Sequence, residues 1–243
     1  MDTTTIGFVQ VRGGVTLRAS PAREPCFQVV LDQAQMAKHP RGSLEHRREM
    51  LHGDLNEEIQ SLEIAAQTIA DFPDAPWEIR MNLARQCWDE VRHARLFLRR
   101  LIELKGFKGE FPIINQEWGV VCMFDSLAGR LAVQNRLFEG GSLDVLMESV
   151  EIWAKEWGDY ETAAIKDAVA ADEIQHVRYA NEWLGRLKSE DPRSILKAIA
   201  AMSAVRAWAA ALTPPEMKQQ VELMGHDIPV NTHDRRHAGF NVK

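Results

Sequence analysis

The amino-acid sequence predicts an all-α protein organised as a four-helix bundle, and three observations carry that prediction. Two stretches, WDEVRHARLF and ADEIQHVRYA, repeat the order Asp-Glu-x-x-His, at Asp89, Glu90 and His93 and again at Asp172, Glu173 and His176. Each repeat lies deep within a long segment that reads as helix, and breaks bearing Pro or Gly separate these segments. On a helix, residues three or four apart share a face, so Glu90 and His93 can reach one ion together, as can Glu173 and His176. Two such helices, joined by one carboxylate from each of two more, make the inward-facing shell of a di-iron or di-manganese bundle.

The elements follow in the order such a bundle requires. Residues 6–18 alternate about Gly13-Gly14 and predict a small β-hairpin, the start of an N-terminal extension over residues 1–42. The helical bundle then occupies residues 43–243. Ser43 caps a first helix that runs to about Phe72, where Pro73-Asp74-Ala75-Pro76 breaks it. A second helix starts at Pro76, a suitable first-turn residue, and reaches Lys105 with Gly106 as its stop. Gly106 to Asn115 is a connection. A third helix spans Gln116 to Glu139, is interrupted by Gly140-Gly141, and resumes from Leu143 to Trp157. Gly158-Asp159 supplies a stop and a fresh N-cap for the fourth helix, which carries Glu173 and His176 toward Lys188. An additional helix covers Pro192 to Leu212 and ends at Pro214-Pro215. The polar tail from Gly225 is expected to wrap over the bundle.

Composition narrows the function classes. A chain of 243 residues supports one large domain with a full core. The formal charge of -6 and the scattered Lys and Arg argue against a general nucleic-acid binder. Cys26, Cys87 and Cys122 are odd in number and lack Cys-x-x-Cys spacing, so they suggest neither a disulfide framework nor a zinc ribbon. The N-terminus lacks a basic start followed by an apolar core, and the most apolar run, Ile195 to Leu212, is broken by Lys197 and Arg206. The expectation is a cytoplasmic protein with no membrane span.

Glu-x-x-His also occurs at Glu49 and His52, but that pair sits near a helix start without a matching partner and reads as structural. The pairs at 90 and 173 differ by the preceding aspartates. Asp89 and Asp172 stand four residues before their histidines and share the same face, placed to take the second ring N–H of a His on the opposite helix. Spacing selects the other carboxylates. Glu90 is 14 residues after Pro76 and Glu58 is 14 before Phe72, so the two are level across the first hairpin. Glu57 is rotated about 100° from Glu58; Glu63, the stronger competitor, lies nearer the turn and is rotated about 140°. In the third helix, Glu139 precedes Glu173 by 34 residues, close to the 32 between Glu58 and Glu90, and no other Glu lies between Glu117 and Glu139.

The stretches EEIQSLEIAAQTIADFPDAP, DEVRHARL, EGGSLDV, DEIQHVRYANEWL and PVNTHDRRHAGF resemble a ferritin-like family of unknown function found mainly in bacteria. More distantly the chain resembles tRNA-modifying di-iron hydroxylases, in which a first-helix Glu precedes a similar Tyr-Pro or Phe-Pro turn. The resemblance implies a ferritin-like fold with Glu58, Glu90, His93, Glu139, Glu173 and His176 as metal residues. One departure is Asn56, where a His is expected two residues before the first Glu; it touches pocket chemistry and leaves the ligand set intact.

Four carboxylates and two imidazoles make a hard, oxygen-rich site suited to two Fe ions, or Mn with Fe, and lacking a thiolate to favour zinc or copper. The expected chemistry is reduction of O2 as co-substrate coupled to oxidation of a small organic substrate, by hydroxylation, N-oxygenation, desaturation or oxidative cleavage. An electron donor is implied, and a homodimer is compatible with the sequence. Iron oxidation as in ferritins and tRNA hydroxylation are the competing readings. On the Glu139 face, Ala128, Gly129 and Ala132 leave room for substrate or else permit close helix packing, and Tyr179 stands one turn past His176.

Overall fold

A computed structural model of the chain describes residues 8–12, 15–18, 21–30 and 35–212. It is all-α apart from four short strands, and none of its described helices is long and apolar enough to cross a membrane. The chain forms two compact units: Ser20–Trp118 with Ser149–Val169, and Met1–Ala19 with Gly119–Glu148 and Ala170–Lys243.

The first unit is built on α1 (Leu44–Asp71) and α2 (Trp77–Glu103), which pack along each other. Ser43 Oγ accepts the His46 N–H at 3.2 Å and caps α1 as expected. The buried faces are apolar only in part. Leu51, Leu55, Ile64 and Ala65 of α1 and Ile79, Leu83, Phe97 and Leu101 of α2 are interleaved with buried Asn56, Gln60, Gln86, Asp89, Glu90 and His93. Burying such groups is costly unless each finds a partner, so this polar interior must be organised in detail.

The end of α2 departs from the sequence reading. Lys105, not Gly106, adopts the left-handed conformation, with φ 67°. Gly106 N–H reaches Leu101 O and Lys105 N–H reaches Ile102 O, both at 2.9 Å, so Gly106 is the second residue of a Schellman stop. A Cβ on Gly106 would come within 2.4 Å of Leu101 Cδ1, which explains why glycine stands there while lysine bears the strained angle.

The segment before α1 and the connection after α2 hold a feature that the sequence did not announce. Val29–Val30 (β3) and Ile113–Ile114 (β4) pair in parallel, Val29 with Ile113 and Val30 with Ile114. Arg23, 4% exposed, donates two hydrogen bonds of 2.7 Å to Glu63, one of 2.9 Å to Asn115 Oδ1 and one of 3.4 Å to Asn56 Oδ1. Asn56 in turn donates to Ile114 O at 2.9 Å. His52 stands between the rings of Phe27 and Phe111, and its Nε2 accepts the Gly109 N–H at 2.8 Å. His52 is therefore a buried residue that holds the backbone of the connection, not a surface salt-bridge residue.

The start of α6 (Tyr160–Glu190) belongs to this unit as far as Val169. Asp159 caps it by accepting from Thr162 N–H at 3.0 Å, and Arg100 Nη2 reaches the same oxygen at 2.9 Å. Burial opposes ionisation of Asp159, yet the Thr162 and Arg100 hydrogen bonds outweigh it and hold the carboxyl below its usual range. Lys166, buried on α6, pairs with Asp54 of α1 at 2.7 Å.

In the second unit, β1 (Phe8–Arg12) and β2 (Val15–Arg18) form the expected antiparallel hairpin, while Gly13-Gly14 lie outside the described residues. The third helix is broken differently from expectation. It ends its first piece, α3 (Glu117–Cys122), and restarts at α4 (Leu127–Leu131), where Ser126 Oγ accepts the Gly129 N–H at 3.1 Å. Buried Arg130 donates to Phe124 O at 2.9 Å and Cys122 O at 3.2 Å, satisfying carbonyls at the break. Gly140-Gly141 does not interrupt the chain. A π-helical segment, Ala132–Glu139, runs into α5 (Gly140–Glu151), and Gly140 keeps φ -65° and donates to Asn135 O five residues back. Glycine weakens a helix by about 1 kcal/mol but does not end it unless the backbone turns. α7 (Arg193–Leu212) is started by Asp191, whose Oδ1 accepts the Arg193 N–H at 3.1 Å, and buries Ala198, Ala201 and Val205. Pro214-Pro215 and the tail from Gly225 lie outside the described residues.

Two stability measurements check this account. Lys105→Gly should raise the unfolding free energy by about 1 kcal/mol, because it removes the left-handed penalty of a side chain; a loss of stability in urea titration would refute the strain. Burial lowers the His52 pKa from 6.5 to about 4, so its contribution is present above pH 6.5 and lost as pH falls toward 4. His52→Leu should therefore show a shallower fall of stability than the wild type across that window, and parallel profiles would contradict it.

Candidate metal centre

In the first unit, α1 and α2 bring three of the expected ligands together. His93 Nδ1 lies 3.1 Å from Glu58 Oε2 and 3.2 Å from Glu90 Oε2, while its Nε2 lies 3.3 Å from Arg92 Nη2. His93 and Glu90 are almost fully buried; Glu58 is half-buried. Gln86, one turn before Glu90, donates to Glu90 Oε1 at 3.0 Å. Asp89 is buried and accepts from Arg85 Nε at 2.9 Å. Cys87 stays a thiol: burial and the nearby Glu90 push its pKa up to about 11 despite an opposing backbone hydrogen bond.

The second unit supplies the other three. Glu173 Oε2 and His176 Nδ1 are 3.3 Å apart on one face of α6, as the three-residue spacing requires. Glu139, at the end of the π-helical segment, receives Gln134 Nε2 on Oε1 and Asn135 Nδ2 on Oε2, each at 2.9 Å. Asn135 Nδ2 also donates to Tyr179 OH at 3.3 Å, and the Tyr179 ring meets the His176 ring edge-on at 6.3 Å. Asp172 is half-buried beside Glu173.

Glu58, Glu90, His93 and Glu173 each offer one ligand atom, all within 4.8 Å of one another, and so do Glu90, Glu139, Glu173 and His176. This buried cluster of Glu and His side chains can bind metal. Its donors are carboxylate oxygens and imidazole nitrogens without sulfur, the set that suits iron or manganese.

Glu63 pairs with Arg23, whereas Glu58, level with Glu90 across the hairpin, faces His93. At Gly129 a Cβ would meet Ser126 Oγ at 2.9 Å and the Ala201 and Phe124 Cβ atoms at 3.4 Å, so the glycine lets the backbone pack closely against its own cap and α7. Ala128 and Ala132 are buried, and Tyr179 is half-buried. Gln86 and Gln134 were missed. An amide four residues before a ligand Glu, as at Gln86 and Asn135, was a usable signal; Gln134 had none, because its reach depends on the π-helical turn.

Glu58→Ala should lower iron content measured by elemental analysis, whereas Glu63→Ala should leave it unchanged and cost about 2–3 kcal/mol of stability by stranding Arg23. The reverse pattern would reject Glu58.

No curated protein and no solved structure matches this chain. A family model described as a protein of unknown function (DUF455) matches residues 5–243, and the chain belongs to that family.

Proposed function

We propose that this protein is a non-haem di-iron oxygenase or oxidase with a ferritin-like bundle, using O2 and an electron donor to oxidise a small organic substrate. The observation that carries the reading is the overlap of the two ligand sets, since Glu90 and Glu173 belong to both. Two shared carboxylates suit two neighbouring ions better than one. Bound ferrous ions would supply the electrons and open coordination positions for reduction of O2.

As carboxylates, Glu58, Glu90, Glu139 and Glu173 would balance the charge of two divalent cations, and the cations would offset the cost of burying four ionised groups. His93 and His176 add neutral nitrogen donors from Nδ1, the ring atom that faces the carboxylates. Asp89 and Asp172 would fix histidine orientation, a contribution whose loss typically weakens metal binding about 10 to 100-fold. Glu139 and Glu90 are held by amides, so the ligand shell stands preorganised and metal binding needs little rearrangement.

Purified protein loaded anaerobically should hold about two ferrous ions per chain. On exposure to air it should consume about one O2 per pair of irons and then stop until an electron donor is supplied. Uptake and oxidation of tens of irons per chain, with mineral formation, would replace this reading by iron storage. Wild-type iron content in both Glu90→Ala and Glu173→Ala would remove the metal assignment.

A further inference from the structure

The π-helical segment Ala132–Glu139 has a consequence that rests on the proposed metal centre and goes beyond it. In an α-helix, a residue five positions back is rotated about 140° from its neighbour, so Gln134 would point away from Glu139. The i to i+5 bonding of the π turn brings it back over the same face. Both Gln134 and Asn135 consequently reach Glu139, one on each carboxylate oxygen at 2.9 Å. All three side chains are buried, and the turn is closed by the Gly140 N–H on Asn135 O. A π-helical run of this kind is costly relative to an α-helix, and it is often kept where a functional group has to be aimed.

We propose that Gln134 and Asn135 are positioning residues that clamp Glu139 in one orientation, so that it serves as the fixed carboxylate of the metal centre. A donor on each oxygen opposes rotation of the carboxylate plane and draws density from both oxygens. Glu139 belongs to one of the two ligand sets, whereas Glu90 and Glu173 belong to both, so the clamp acts chiefly on one of the two ions. Asn135 extends the clamp to the phenol of Tyr179, whose oxygen accepts from the same Nδ2, and so ties the orientation of Glu139 to α6. Removing an amide leaves every proposed ligand in place but takes away one restraint on the carboxylate.

The test is an anaerobic ferrous titration of full-length protein against a chromophoric chelator, with far-UV circular dichroism and visible spectra of the cobalt-loaded form. Asn135→Leu and Gln134→Met preserve side-chain size and should keep the wild-type circular dichroism. Each should retain one tight iron while weakening the second about 10 to 100-fold, and each should shift the cobalt bands. Tyr179→Phe, which leaves both amides on Glu139, should weaken the second iron less than either amide variant does. If either amide variant fails to fold, the other decides. Two irons bound at wild-type affinity with unchanged cobalt bands would overturn the clamp while leaving the metal centre intact. A wild-type protein that binds no iron would instead remove the proposed function, and the clamp with it.

Discussion

The burial of carboxyl and imidazole side chains against one another is the constraint on which the rest of this protein depends. Glu90 and His93 are 1% and 0% exposed, and neither would persist there if left unpartnered. The surrounding elements are arranged to meet that demand. Gln86 holds Glu90, Gln134 and Asn135 hold Glu139, and the histidines present Nδ1 to the carboxylates of their own unit. Under the proposed function, divalent cations would complete the balance more fully than hydrogen bonds can, because amide donors leave negative charge itself uncompensated.

The same logic shapes residues away from the ligands. Glu63 lies one and a half turns from Glu58 on α1 and, without a cation, would be a further negative charge near the interior. Arg23 neutralises it with a bidentate pair, and the same guanidinium ties the leading segment to Asn56 and Asn115. That segment then pairs as β3 with β4, and the Gly109 turn is pinned on His52. Arg100 performs a comparable task at the first turn of α6, where it supports Asp159 as a helix cap. Irregular backbone is thereby fixed by charged side chains whose positions the long helices determine.

The departures from regular α-helix fall where the side chains demand them. The third helix is cut at residues 123–126, and Arg130 collects the freed carbonyls of Cys122 and Phe124. It then widens into a π-helical run that ends on Glu139. Gly140 continues the helix because its backbone stays right-handed, and Lys105 rather than Gly106 takes the left-handed turn because Gly106 is needed against Leu101. In each case the local preference of a residue yields to the packing around it.

Much of this was legible in the chain. The helical segments, the Ser43 and Asp159 caps, the first hairpin and the two Asp-Glu-x-x-His repeats follow from periodicity, capping chemistry and spacing within single elements. The approach of Glu58 to His93 could be anticipated by counting from the turn, since two helices joined by a short break run level. Features that join distant residues were not legible. The Arg23–Glu63 pair spans 40 positions, and the β3–β4 ladder joins segments on opposite sides of α1 and α2. Gln134 reaches Glu139 only because the helix is π-wound there, and the close approach at Gly129 involves Ala201 of α7, 72 residues away in the chain. Spacing fixes which side chains share a face of one helix; what that face meets depends on packing and on long-range charge pairing, which no local period encodes.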